Sequence, residues 1–587
     1  MSYFGIPLRN GLPIGLGSVA ALGTNAVFNP ASLFANGEQG WVYDPSNFAT
    51  LFQDSAGTTP VTAVEQPVGL QLDLSKNLVL GPELVPDSSF DSAGSWTPQN
   101  SDWVVAGGKA TYTESATAIV YLQSNANITL TGGKWYEVRC TFSGIASGTA
   151  TFGLFNKTAS VNLLGAYATV TTNGVYVQRI YVASTVTGIR IYGNNSGSAT
   201  SWSFDDFSIK ELPGNHRFQA TSANRPLVSA RVNLLTKTED FANAAWAKVS
   251  IAVAVPSVVA TGVVDANGGN TASTLAFPAV TGSQLSLTQQ AYALTPATSK
   301  KFRVVLKASR TEDVGKTIYV YINDNGGAGI LNRQTVVLTS SYQTITSTGT
   351  PTGTTDLRFV IGILGAGYSG IDQAAFRVDV CFPDARDTNQ GVDLPAYQYV
   401  NTSTDYTSTG FPIYIKPNGS NQFMQTNSIN FTATDKMTVW QGVRKLSDTA
   451  QSVVAELSAS IAANNGAFLL AAPNSAAANY NFASKGTTQV NNIVTTYTSP
   501  ITNVLAAASD ISGPANSVKV NGGAATTVTS TQGTGNYGNY PAYFYARAGT
   551  SLFFGGNDYG SIVRGAASTA TQITAGETWV NNLTKAY

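Results

Sequence analysis

Along residues 78–212, apolar side chains recur at every second position in short runs that stop at Gly, Asn, Ser or Thr. The runs are "KATYTES", "AIVYLQS", "KWYEVRCTFSG", "ATFGLFN", "VYVQRIYVA", "GIRIYGN" and "WSFDDFSIKEL". Successive side chains of an extended chain point to opposite faces, so this alternation predicts half-buried strands. Turn residues separate the runs at intervals of roughly ten, which predicts an antiparallel sandwich or jelly roll.

Residues 232–390 repeat the plan with little identity. "NLVLGPELVPDSSFDSAGSW" has a counterpart in "NLLTKTEDFANAAW", and "KWYEVRCTFSG" in "KKFRVVLKASR". "GVYVQRIYVASTVTGIRIYG" corresponds to "SYQTITSTGTPTGTTDLRFVIG", and "WSFDDFSIKEL" to "AAFRVDVCFPD". A shared order of elements predicts two sandwiches of one type.

Residues 411–587 begin a third all-β unit, with "VNGG" as a hairpin-turn signal. Near the end, Thr569 and Gln572 have capping-box spacing, and Ile573, Gly576, Val580 and Leu583 fall on one helical stripe. A short terminal helix closing the sandwich is expected.

Residues 1–77 break the pattern. They are rich in Gly, Pro and Asn, and only "PSNFATLFQDS" looks briefly helical, with Phe48, Leu51 and Phe52 on one side. Such a segment reads as an extended arm ordered by a partner's surface. The expected fold is therefore mostly β: an extended N-terminal arm (1–77) followed by three antiparallel β-sandwich domains. A seam at 213–231 separates 78–212 from 232–410, the latter ending in a linker, and 411–587 closes the chain.

Composition narrows the function classes. Charged residues make up 11% of the chain, with 33 basic against 33 acidic. That balance offers no electrostatic footprint for nucleic acid or an anionic membrane. Two cysteines, Cys140 and Cys381, lie in strand-like runs and read as buried free thiols, too few for a disulfide framework. The start "MSYFGIPLRNGLPIGLG" lacks the pattern of a signal peptide, and no run is long and apolar enough to span a membrane. Assembly in a cytoplasm, without membrane insertion, is the expectation.

"SLFANGEQGWVYDPSNFATLFQDSAGTTPVTAVEQPVGLQLDLSKN" (32–77) resembles a segment recurrent in tailed-bacteriophage structural proteins, particularly tail-fibre-like ones. There it runs straight into a "GNH…QAT…RP" stretch, which here is "GNHRFQATSANRP" at 214–226. The resemblance makes 78–212 an inserted domain and 213–231 its return seam. The inserted unit resembles jelly-roll carbohydrate-binding modules through its "N-L…F…W" opening and its "W-x-F-D-D-F-S-I" closing. The last unit resembles concanavalin-A-like or laminin-G-like domains.

The resemblance implies a virion location and a tail fibre or tail-associated protein that recognises host-surface glycan without cleaving it. Its partners would be other virion proteins, host cell-surface glycan and further copies of the chain, as a trimer. A capsid decoration or head-fibre protein is the alternative, with a glycan-degrading tailspike or a bacterial adhesin behind it.

The only histidine, His216, could pair with Asp54 and Ser55, but nothing resembles a nucleophile elbow, and a satisfied loop residue is expected. Asp205 and Asp206 adjoin on a strand, and Glu312 and Asp313 in a turn; neither pair is placed to flank one bond. No cofactor is required. By analogy with the modules, Asp206 with Asp87 or Asp91 is the set for a structural calcium, against an edge-strand Asp bonding a loop.

For sugar, aromatic faces stack on pyranose CH groups while amides bond the hydroxyls. Trp96, Trp103, Tyr121 and Tyr192 are candidates in the first sandwich. Tyr537 and Tyr540, with Asn536 and Asn539, are the favoured set in "GTGNYGNYPAYFYARAG" (533–549). The competing reading makes "YPAYFYARAG" a strand whose tyrosines fill the core. Trp135, Trp202 and Trp440 read as core.

Overall fold

The alternating runs of 78–212 become two antiparallel five-stranded sheets, one packed on the other. In the computed structural model, which describes residues 28–114, 119–145, 148–194, 201–293, 298–353 and 355–587, one sheet runs Trp96–Pro98, Val120–Ser124, Ile189–Gly193, Ala150–Asn156, Ala168–Val170. The other runs Trp103–Val105, Ala110–Thr113, Ser201–Glu211, Lys134–Ser143, Gly174–Val182.

The second sandwich has the same strand order. One sheet is Ala247–Ile251, Leu285–Ala293, Asp356–Leu364, Thr317–Asn325, Gly329–Val337. Its mate is Ser257–Val263, Ala272–Phe277, Phe376–Asp387, Lys300–Ala308, Gln343–Gly349. Two details match as well. Trp96 Nε1 donates to the Asp87 carbonyl (3.2 Å) and its ring lies 5.1 Å from Phe90; Trp246 Nε1 donates to the Lys237 carbonyl (2.9 Å) and lies 4.6 Å from Phe241. Each closing strand also carries a bulge where a non-glycine residue turns left-handed, Asp206 (φ 50°) and Phe382 (φ 54°). The bulge interrupts strict alternation at Asp205–Asp206.

The third sandwich packs an eight-stranded sheet on a nine-stranded one. Residues 28–77 belong to it, which corrects the expected arm for that stretch; residues 1–27 lie outside the described residues. Gly40–Tyr43 pairs with Asn557–Arg564, and Trp41, Tyr43, Leu51, Val61 and Val68 lie in the same core as Met437, Phe468 and Phe544. Burying these rings is favourable by about 25 cal/mol per Å2 of apolar surface, so the segment finds its covering surface in its own chain. The brief helix near Phe48 is a single 3-10 turn, Phe48–Thr50, leading into strand Leu51–Phe52.

Both smaller sandwiches leave and re-enter this host at neighbouring strands. Gln71 pairs with Arg217 and Leu70 with Phe218, while the Gly81 amide donates to the Glu211 carbonyl (2.9 Å). Leu227–Ser229 likewise pairs with Tyr414–Lys416 on either side of the second sandwich. Chain ends that meet are what lets a domain be inserted without disturbing its host. The second seam is charged: Asp387 binds Lys300 and Arg444, each at 2.5 Å. Burial acts to raise the Asp387 carboxyl, and the two cations outweigh it and hold it below its usual range.

The terminal helix Ala570–Thr584 starts with the expected Thr569–Gln572 capping box. Gly576 is needed for close approach, since a Cβ there would stand 2.5 Å from Trp440 Nε1. Trp440 Nε1 in turn donates to the Ile573 carbonyl (3.0 Å).

Candidate functional site

The phase of alternation decides what the first sandwich shows to solvent. In Val120–Ser124, Val120 and Leu122 point into the core and Tyr121 and Gln123 outward; in Ile189–Gly193, Arg190 and Tyr192 point outward. Tyr192 stands directly opposite Tyr121 on one side and Gly153 on the other, and Arg190 stands between Gln123 and Phe155. Ring centroids follow one another at 5.4 Å (Tyr121–Tyr192), 4.5 Å (Tyr192–Phe155) and 5.6 Å (Phe155–Tyr167). Gly153 makes the row possible. A Cβ there would meet Phe155 at 2.6 Å and Tyr167 at 3.0 Å.

All four rings are half-buried, so one edge or face of each remains in solvent. The Arg190 guanidinium lies 4.3 Å from the Tyr121 ring, and its Nε donates to Gln123 Oε1 (3.0 Å). Held this way, the arginine needs little further ordering to bind a ligand oxygen. Burial, then the neighbouring Tyr192, raises the pKa of the Tyr167 phenol, so it stays a neutral hydroxyl that can donate and accept. The row offers apolar ring surface flanked by hydroxyls, a guanidinium and an amide. That combination suits a saccharide.

The favoured C-terminal set does not form such a surface. Tyr537 is in the core of the third sandwich, 1% exposed, its hydroxyl 2.7 Å from Ser484 Oγ. Tyr540 is half-buried on strand Asn539–Phe544, its hydroxyl donating to the Asn465 carbonyl (3.1 Å). Asn536 and Asn539 are exposed, with Asn536 Nδ2 donating to the Thr432 carbonyl (2.7 Å). The competing reading holds only in part: the stretch is a strand, but its inward residues are Ala542 and Phe544, with Tyr545 buried just beyond its end and Tyr540 and Tyr543 half-buried. Trp103 is corrected too. It is 2% exposed, packed at 5.4 Å against Trp202, with Nε1 donating to the Val120 carbonyl. Trp96 is buried likewise.

The three carboxylates of the calcium set each accept a local hydrogen bond. Asp206 accepts from Thr141 Oγ1 (3.1 Å), Asp87 from the Asp91 amide (3.1 Å) and Asp91 from Ser89 Oγ (2.7 Å). Among the described residues no three acidic, histidine or cysteine side chains gather as a metal site. His216 is fully buried in the first seam. Its Nδ1 accepts from the Asp73 amide (2.9 Å) and its ring packs 5.5 Å from Trp135. Burial pushes its pKa down to about 3, so it is neutral near pH 7. Asp54 binds Thr58 and Thr59 and forms no triad with it. Arg217 beside it is buried against Asp558 (2.9 Å) and Gln71, so "GNHRFQAT" is a structural seam. Cys140 and Cys381 are buried free thiols.

Tyr121 and Tyr192 were readable as candidates from the sequence; Phe155, Tyr167, Arg190 and Gln123 were not singled out. For Phe155 and Arg190 the signal was the phase of "ATFGLFN" and "GIRIYGN", which places an aromatic and an arginine on the polar face.

No known protein family and no curated protein matches the sequence. Among solved structures, the chain is similar to the CBM40 module of the Ruminococcus gnavus IT-sialidase, bound to alpha2,3 sialyllactose. The identity is 15%, covering 26% of this chain and 97% of that one, with a TM-score of 0.21. It is also similar to the CBM22-1–CBM22-2 tandem of Paenibacillus barcinonensis Xyn10C, at 11% identity, covering 52% of this chain and 98% of that one, with a TM-score of 0.23. These neighbours are carbohydrate-binding modules of β-sandwich fold.

Proposed function

We propose that the chain is a non-catalytic glycan-binding protein of a tailed-phage virion, recognising host-surface saccharide through the outward face of its first sandwich. The row Tyr121–Tyr192–Phe155–Tyr167 with Arg190 carries the glycan reading, because half-exposed rings held by a glycine-dependent contact present ready-made stacking surface. Full burial of the single histidine takes it out of reach of a ligand as a general acid or base.

The virion reading rests on the two motif halves, 32–77 and 214–226. Leu51–Phe52 and Leu70–Gln71 of the first half and Arg217–Phe218 of the second are neighbouring strands of one sheet, which supports reading the halves as one motif interrupted by an inserted module. Other virion proteins and further copies of the chain are its assembly partners.

A glycan array probed with the full chain and with Tyr121→Ala/Tyr192→Ala tests the function. Signals on a defined glycan set, lost in the double variant while its melting temperature is kept, support the reading. Equal signals from both proteins, or none from the parent, overturn it.

A further inference from the structure

The second sandwich has a different opening on its other sheet. A cleft of about 450 Å3 lies over strands Lys300–Ala308, Gln343–Gly349 and Phe376–Asp387, within the size range of saccharide and drug-sized ligand sites. Tyr342, Phe382 and Tyr397 form its walls, Arg303 its cationic group, and Asn267 and Thr344 its polar rim. We infer that this cleft is a second, independent ligand site, for a pyranose that carries a carboxylate.

Three observations carry this. First, the walls are fixed. The Tyr342 hydroxyl donates to the Val264 carbonyl (2.6 Å), the Tyr397 hydroxyl binds Thr238 Oγ1 (2.8 Å) and Glu239 Oε1 (3.1 Å), and the Phe382 and Tyr397 rings lie 5.0 Å apart. Both phenols are used up at their far ends, so what they offer a ligand is ring surface.

Second, Arg303 is a charge without a carboxylate partner among the described residues. Its one hydrogen bond goes to the Ala396 carbonyl (3.3 Å). The nearby acids are already taken. Asp384 is held at 2.5 Å by both arms of Arg386, and Asp265 by Thr271 and the amides of Asn267 and Gly269. A half-buried guanidinium in a cleft it shares with aromatic walls favours a planar anion that it can grip with two N–H groups.

Third, the first sandwich retains the cation and lacks the walls. Thr141 pairs with Asp205 and Val175, as Val305 pairs with Cys381 and Thr344. In that register Arg139 corresponds to Arg303, while Asp206 and Asn173 stand where Phe382 and Tyr342 do. The bulge turns Phe382 toward the cleft at φ 54°, a conformation unfavourable for a bulky residue and typical of functional positions. The linker 388–413, which the first sandwich has no copy of, adds Tyr397.

The test uses the full chain carrying Tyr121→Ala/Tyr192→Ala, so the first sandwich contributes nothing and the earlier proposal is not at stake. Uronic-acid oligosaccharides and nonulosonic-acid-capped oligosaccharides are titrated by calorimetry, each beside its neutral parent sugar. The two acidic arms tell which source supplies the carboxylate. One acidic series should bind more tightly than its neutral parent. Arg303→Ala should weaken that binding by about tenfold or more, Arg303→Lys less, and Arg139→Ala not at all. Absence of acidic binding, equal affinity for the neutral parent, or an unchanged affinity in a folded Arg303→Ala protein overturns the inference.

Discussion

The two inserted sandwiches share a skeleton and differ on its surface. Strand order, the tryptophan that closes the opening loop and the bulge in the last strand recur in both. On the sheet where the first sandwich exposes Tyr121 and Tyr192, the second buries Tyr319 and Tyr321 at 2% and 3% exposure among Leu287, Val360 and Leu364. Each face has an arginine over a tyrosine. Arg190 is held by Gln123, whereas Arg333 lies 4.9 Å from Tyr319 with both arms on the carbonyls of Tyr368 and Ser369, closing the face. A common core fixes the architecture, and the outward residues decide where a ligand can rest.

Removing the shared anchor should have the largest effect. Trp96→Ala and Trp246→Ala should each destabilise their own sandwich by about 3–5 kcal/mol, read by hydrogen exchange along the intact chain. A loss confined to one of the two would break the equivalence.

Next come the paired tyrosines. Tyr319→Ala should cost about 3 kcal/mol of stability in the second sandwich and leave glycan binding alone. Tyr121→Ala should do the reverse, weakening binding by about 1–2 kcal/mol with little change in melting. Matching outcomes at the two positions would erase the distinction between the faces.

The first seam should begin to respond to acid at a higher pH than Asp387 of the second seam does. His216 titrates near 6.5 when unfolded and at about 3 when buried. Its contribution is therefore complete above pH 6.5 and declines as the pH falls from 6.5 toward 3, where the unfolded chain binds the extra proton. His216→Gln should flatten that part of a denaturation-versus-pH profile, and an unchanged slope would contradict the burial. The smallest effect is expected at the bulge: Asp206→Gly, at φ 50°, should stay within about 0.5 kcal/mol of the parent by chemical denaturation.

Much of the fold was legible because the inserts are built from alternating strands with local turns. Each of the seven runs quoted from 78–212 contains a strand among its described residues, and the capping box marks the helix start. The host was harder to read. Gly40–Tyr43, Leu51–Phe52 and Leu70–Gln71 are too short to show a period, and their partners lie far along the chain, as in the bond from Trp41 Nε1 to Ser561 Oγ. Tyr537 misled for a similar reason. It sits among Gly and Asn, where no alternation reports whether a ring points inward, and composition alone suggested a loop.

On the proposed function, glycan rests on the outward aromatic row of the first sandwich and not on the tyrosine-rich C-terminal stretch. Hydrogen exchange of the intact chain, with and without a glycan selected by the array, tests it most directly. Glycan-dependent protection is expected in 120–124, 150–156 and 189–193, with 533–549 unchanged. Protection at 533–549 with none in those three strands would contradict it.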